Sequence, residues 1–210
     1  MRSITGCLVV VALSAIGLTS AIAQAPQGAQ GGGARGGQAP GARGPQAPPL
    51  IMTTTAFEDG GVIPDKYTQA AGAMAVSPEL KWSQVPMGTQ SFVLLLHDPE
   101  PVLNKGSKMD VTHWLIWNIP RTATGLSEGV AQGELPDGSR QVSLRANAYM
   151  GPGAPAGPYH HYTFELYALD IKLDNAQGTP QEAANTRVGV FNAMDGHVLG
   201  KAVLVGRFHR

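Results

Sequence analysis

Asp98, His113, His160 and Tyr162 are the residues whose types and placing could do chemistry. Each falls at or near the end of an apolar, strand-like run and beside a loop, where binding and catalytic groups collect. An imidazole and a phenol at the rim of a core, next to a glycine-rich loop, can receive a small polar ligand. Singly, each has an ordinary account. His113 could be a hydrogen-bonded core histidine, Asp98 before Pro99 a turn residue, and Tyr162 a core aromatic with its hydroxyl at the rim. One carboxylate with two histidines could also hold a metal, or a histidine could serve as general base. No serine or cysteine nucleophile is marked by a motif, which weighs against covalent catalysis.

The elements that must position these groups read as strands. The run 149–158, YMGPGAPAGP, interleaves Gly151, Gly153 and Gly157 with Pro152, Pro155 and Pro158. Glycine permits close backbone approach and proline fixes φ, so this is a stiff loop. Strict alternation follows. His160, Tyr162, Phe164, Leu166 and Ala168 share one face, and His161, Thr163, Glu165 and Tyr167 the other. Residues 90–98 are apolar on both faces, as a strand covered on both sides would be. In 111–119, alternation puts His113, Leu115, Trp117 and Ile119 on one face. Further strands are expected over 51–57, 80–82, 141–144 and 198–208. His97 and His161 have the opposite parity and are expected to be structural or solvent-facing.

Residues 67–77 show no period and read as a surface segment, and 102–110 and 124–139 read as loops. Thr179, Pro180 and Glu182 form a helix-start pattern, with Val188, Phe191 and Met194 at helical spacing and Gly196 as the stop. Many strands, long loops and one late helix imply a mainly β, antiparallel fold and not βαβ units.

The 210 residues carry 15 basic and 15 acidic side chains. That balance argues against general nucleic-acid or anionic-membrane binding. Residues 1–23 have an arginine, an apolar core and an Ala-Ile-Ala cleavage pattern, which reads as a secretory signal peptide. Cys7, the only cysteine, precedes that apolar core, so the processed chain would have neither a disulfide nor a lipid-anchoring cysteine. Residues 24–50, rich in Gly, Gln, Ala and Pro, read as a disordered tether. The expected product is exported, periplasmic or secreted, with no transmembrane segment after processing.

From about Met52 to Arg210 the sequence resembles the phosphatidylethanolamine-binding protein family, in its bacterial Raf-kinase-inhibitor-like branch. The marks are AFEDGGVIPDKYT, SPELKWSQVPMGT, HDPEP, THWLIWNIP, YMGPGAPAG followed by HHYTFELYALD, and GHVLGKAVLVGRF, in that order. The resemblance implies a mainly antiparallel β fold over 51–210 with a small anion-accepting pocket at one edge. It places Asp98 as first acid of a DPDxP motif, with Glu100 at the second acid's place. It matches His113 to a histidine before an aromatic, and His160 and Tyr162 to an HRY motif. It implies that the backbone N–H of Gly153 faces the ligand. His161 stands in place of an arginine, Ala154 of a proline and Glu100 of an aspartate.

On this basis the ligand-binding set is Asp98, His113, Gly153, His160 and Tyr162. The expected ligand is a small anion such as a phosphate ester or a phospholipid headgroup, since an oxyanion needs N–H and O–H donors. Asp98 would orient an imidazole. No cofactor is expected. A hydrolase or metal-dependent enzyme, and a protease-inhibitor-like module with a protein partner, stand as the other function classes.

Overall fold

The computed structural model describes residues 49–107, 110–173 and 182–210. The expected signal peptide, the tether up to Pro48, and the helix-start residues Thr179 and Pro180 lie outside them. The strands are β1 (Ile51–Thr53), β2 (Gly61–Val62), β3 (Leu80–Ser83), β4 (Ser91–Asp98), β5 (Val111–Pro120), β6 (Gly125–Leu126), β7 (Arg140–Val142), β8 (His160–Leu169) and β9 (Val198–Phe208). One α-helix, α1 (Ala183–Ala193), precedes β9.

Six strands form the main sheet in the order β2-β9-β8-β4-β5-β7, and β1-β3-β6 form a second, smaller one. The pairings β4–β5, β4–β8, β5–β7 and β8–β9 are antiparallel; β2 joins β9 parallel. The fold is mostly β with one late helix, as expected.

β4 runs through the middle of the main sheet, which explains its double-sided hydrophobicity. Phe92, Leu94 and Leu96 face one core with Trp114, Ile116, Tyr162 and Phe164, closed by Met52, Leu80 and Trp82 of the small sheet. Val93 and Leu95 face the other core with Leu115, Trp117, Tyr167 and Leu169, closed by Ala183 and Val190 of α1 and Met194 at its C-cap. Truncating Leu94 or Leu95 to alanine, both fully buried, would cost about 2–5 kcal/mol.

β5 departs from strict alternation. Opposite β4 its register runs from Leu96↔Trp114 to His97↔Thr112, so His113 is an extra residue. This β-bulge takes His113 off the face of Leu115 and Trp117 and sets its ring against Tyr162. A second slip lies between Phe92 and Leu94. Near it Asn118 has φ 59° and clasps the backbone of Leu173 through both ends of its amide. Ile119 thereby returns to the core of Phe92. The single face expected for His113, Leu115, Trp117 and Ile119 is therefore split by two bulges.

Other differences are local. The expected strand at 51–57 stops at Thr53, because the Thr54 hydroxyl donates to the Glu79 carbonyl and accepts from Ala56 N–H, turning the chain. The aperiodic stretch after Pro64 holds two 3-10 segments, Asp65–Tyr67 and Gln69–Met74, the second capped by the Thr68 side chain. On α1 the buried line is Ala183, Thr186 and Val190 with Met194 at the C-cap, whereas Val188 is exposed. Of the expected face, Met194 is buried and Phe191 packs against the same core, while Val190 turns inward where Val188 was expected.

Candidate functional site

The site lies where the C-terminal end of β4, the bulge in β5 and the start of β8 meet the glycine-proline loop. Antiparallel pairing of β4 with both neighbours brings these ends together. Asp98 ends β4 and is buried, 3% exposed. Its Oδ2 lies 2.8 Å from His160 Nδ1, and its Oδ1 accepts the Glu100 backbone N–H at 3.0 Å. A carboxylate is an acceptor, so His160 carries its proton on Nδ1 and holds its Nε2 away from Asp98. Burial pushes the Asp98 carboxyl above its ordinary range, against the pull of the His160 hydrogen bond.

His113 is 4% exposed. Its Nδ1 lies 2.9 Å from the Met150 carbonyl and 3.1 Å from that of Gly151. Two acceptors fix the tautomer: Nδ1 is the donor and Nε2 bears the lone pair. Burial lowers its pKa to about 4, outweighing those two carbonyls, which act the other way.

Tyr162 is fully buried between these groups. Its ring lies 5.1 Å from that of His113, edge-on at 87°, and 6.5 Å from that of His160, nearly parallel at 22°. Its oxygen accepts the N–H of Gly153 at 3.1 Å and of Ala154 at 2.9 Å. Burial and the neighbouring Asp98 carboxylate raise its pKa, so the phenol keeps its proton.

The structure thus brings all five expected residues together, with His160, its side chain 20% exposed, more open to solvent than Asp98, His113 or Tyr162. One detail differs from the expected arrangement. The Gly153 N–H is donated to Tyr162, so it serves the site through the phenol. The second acid, Glu100, grips His161 through both the backbone N–H, at 3.0 Å, and Nδ1, at 2.7 Å. Burial opposes ionisation of Glu100, but the bonds from His161 bring its pKa below the usual value. His97 is likewise engaged, with Asp110.

Gln69 is a neighbour that the sequence did not mark. Its Nε2 donates to the Gly151 carbonyl at 2.9 Å, the same oxygen that receives His113 Nδ1–H. Its amide also lies where a Cβ on Gly153 would stand. Nothing in an aperiodic surface segment signals such a contact across 82 residues.

Asp98, Glu100 and His160 place one ligand-type atom each within 4.8 Å of one another and could hold a metal ion. That set differs from the expected carboxylate with two histidines in taking Glu100 in place of His113. Asp98 is bonded to His160 Nδ1 and Glu100 to His161 Nδ1. A hollow of about 520 Å³ lies elsewhere, lined by Glu79, Lys81, Trp82 and Leu126 among others. Its charged pair, Lys81 and Glu79, is joined at 3.1 Å. No helix among the described residues is long and apolar enough to cross a membrane.

Comparison with known proteins agrees with this architecture. The profile of the phosphatidylethanolamine-binding protein family matches residues 53–209. A UPF0098 protein of Methanothermobacter thermautotrophicus is 43% identical over 76% of this chain and 98% of its own. The UPF0098 protein YbhB of Escherichia coli is 34% identical over 63% of this chain and 81% of its own. Among solved structures, a phosphatidylethanolamine-binding protein homolog from Chlamydia trachomatis superposes with a TM-score of 0.60 at 28% identity, covering 77% of this chain and 98% of that one. Escherichia coli YbcL shares the fold, with a TM-score of 0.61 at 23% identity and coverage of 77% and 98%. The chain therefore belongs to the phosphatidylethanolamine-binding protein family.

Proposed function

We propose that residues 51–210 are an exported domain that binds a small oxyanion, of the phosphate-ester or phospholipid-headgroup type, at the rim formed by Asp98, His113, His160 and Tyr162. The observation that carries this reading is the packing of both imidazoles on one phenol, with Asp98 bonded to the more exposed of them. Family membership supports a ligand-binding role over a catalytic one. In this reading His160 meets the ligand first, and Asp98 orients its ring. Gly153 holds Tyr162. The leading segments, 1–23 as a signal peptide and 24–50 as a tether, would place the domain outside the cytoplasm.

Calorimetric titration of the purified chain with a phosphate monoester tests the site. His160→Ala should weaken binding at least about tenfold, the loss expected for one charge-assisted hydrogen bond. Asp98→Asn should weaken it less, since an amide oxygen can still accept from Nδ1. Unchanged affinity in both variants would refute the assignment. Metal analysis of the same preparations addresses the Asp98, Glu100 and His160 trio: stoichiometric metal lost in His160→Ala would favour a metal site instead.

A further inference from the structure

The hollow on the small sheet shares no residue with the Asp98 rim. Register sets Ile51 beside Ser83, Thr53 beside Lys81, and Lys81 beside Gly125. This outward row alternates with Met52, Leu80 and Trp82, which are buried in the core. The hollow, about 520 Å³, is lined by Thr53, Glu79, Lys81, Ser83, Thr124 and Ser127 among others. That volume lies within the roughly 300–1,000 Å³ of small-molecule sites. Gly125 also lines it, and a Cβ there would collide with the Leu80 carbonyl oxygen. No side chain can therefore fill the hollow from that position.

The walls are tied down while the lining is not. The Thr54 hydroxyl donates to the Glu79 carbonyl, and the Glu79 carboxylate is paired with Lys81. On the other side Ser127 adjoins Glu128, which accepts the Tyr67 hydroxyl at 2.7 Å and pairs with Lys66 at 2.8 Å. The Trp82 indole N–H donates to the Ala123 carbonyl at 2.8 Å and ties β3 to the chain entering β6. By contrast, the hydroxyls of Thr53, Ser83, Thr124 and Ser127 have no hydrogen-bond partner among the described residues, and all four residues are exposed. A held frame around uncommitted polar groups is what a preformed site requires.

The chemistry of that lining selects its ligand. Each hydroxyl both donates and accepts. Lys81 and Glu79 offset one another, so no net charge is offered. Half-buried Leu126 adds apolar surface. An apolar ligand would strand the hydroxyls, and an anion would compete with Glu79 for Lys81. A pyranose ring presents hydroxyls along its edge and C–H groups on its face, and matches both kinds of surface. We infer that this hollow binds a neutral oligosaccharide through Thr53, Ser83, Thr124 and Ser127, with the Lys81–Glu79 pair as a further donor and acceptor. This site is independent of the anion-binding reading of the Asp98 rim.

Amide NMR of the full chain tests it, with maltotetraose, cellotetraose and chitotetraose as probes at millimolar concentration. At least one probe should shift the signals of Thr53, Lys81, Gly125 and Ser127 together along one saturating curve. The double variant Thr53→Val, Thr124→Val keeps the side-chain shape at two exposed positions and removes two hydroxyls. It should weaken that probe at least about tenfold, the loss expected for two hydrogen bonds; should the variant not fold, the wild-type titration decides alone. No shift with any of the three probes, or shifts centred on other residues, would overturn the inference. So would undiminished affinity in the folded double variant, or tighter binding of tetragalacturonate, which carries a carboxylate on every ring.

Discussion

The ring of His113 stands edge-on to that of Tyr162, 5.1 Å away, only because His113 is the extra residue of a β-bulge. With regular pleating it would point to the face of Leu115 and Trp117, which packs on α1. The bulge aims one imidazole across the sheet to the face where Tyr162 and His160 alternate on β8. That single irregularity assembles residues from three strands at one rim.

Tyr162 acts as a clasp for the glycine-proline loop. Replacing it with phenylalanine keeps the packing but leaves the N–H groups of Gly153 and Ala154 without their acceptor. The Ala154 N–H is buried, and stranding it costs about 1–3 kcal/mol, while the half-buried Gly153 N–H adds less. Urea denaturation should show a loss of that order for Tyr162→Phe, together with faster hydrogen exchange at Gly153 and Ala154. Unchanged stability would mean that water replaces the hydroxyl.

Gly151 and Gly153 should differ in their tolerance of alanine. A Cβ on Gly151 would lie 2.7 Å from the Tyr67 carbonyl oxygen and 2.9 Å from Thr68 Cα, both backbone. The atoms nearest a Cβ on Gly153 all belong to the end of the Gln69 side chain. Gly153→Ala should therefore be rescued by Gln69→Ala, while Gly151→Ala should not. A double-mutant cycle in thermal denaturation reads the difference; rescue of both, or of neither, would contradict these contacts.

His113 makes stability depend on pH. Burial lowers its pKa from 6.5 to about 4 in the folded chain. Between those values the unfolded chain binds a proton that the folded chain refuses. Stability contributed by the neutral ring is thus intact above about pH 6.5 and lost as pH falls toward about pH 4, by about 3 kcal/mol at most. Urea midpoints across that window should fall less steeply for His113→Gln than for wild type. Parallel curves would show that the folded ring titrates normally.

The fold was largely legible because burial leaves a strong pattern: 90–98 is apolar on both faces because both faces are covered, and β8 alternates because its first half is not. The late helix and β9 were also apparent. What the pattern could not carry was the bulge at His113, since one extra residue has no composition signal. Nor could it show where hydrogen bonds go. The same glycine N–H that could face a ligand instead reaches a phenol nine residues on, and Gln69 enters from a segment with no period. The residue types of the site were readable; their donor and acceptor roles needed the three-dimensional structure.

The most direct measurement is a titration of methyl phosphate into the chain, followed by the imidazole nitrogen signals of its histidines. The account predicts that the signals of His113 and His160 move together along one binding curve, while that of His197, paired with Asp170 at 2.8 Å on an exposed turn, stays still. Saturating ligand that leaves the His113 and His160 signals unmoved, or that moves His197 alone, would contradict it.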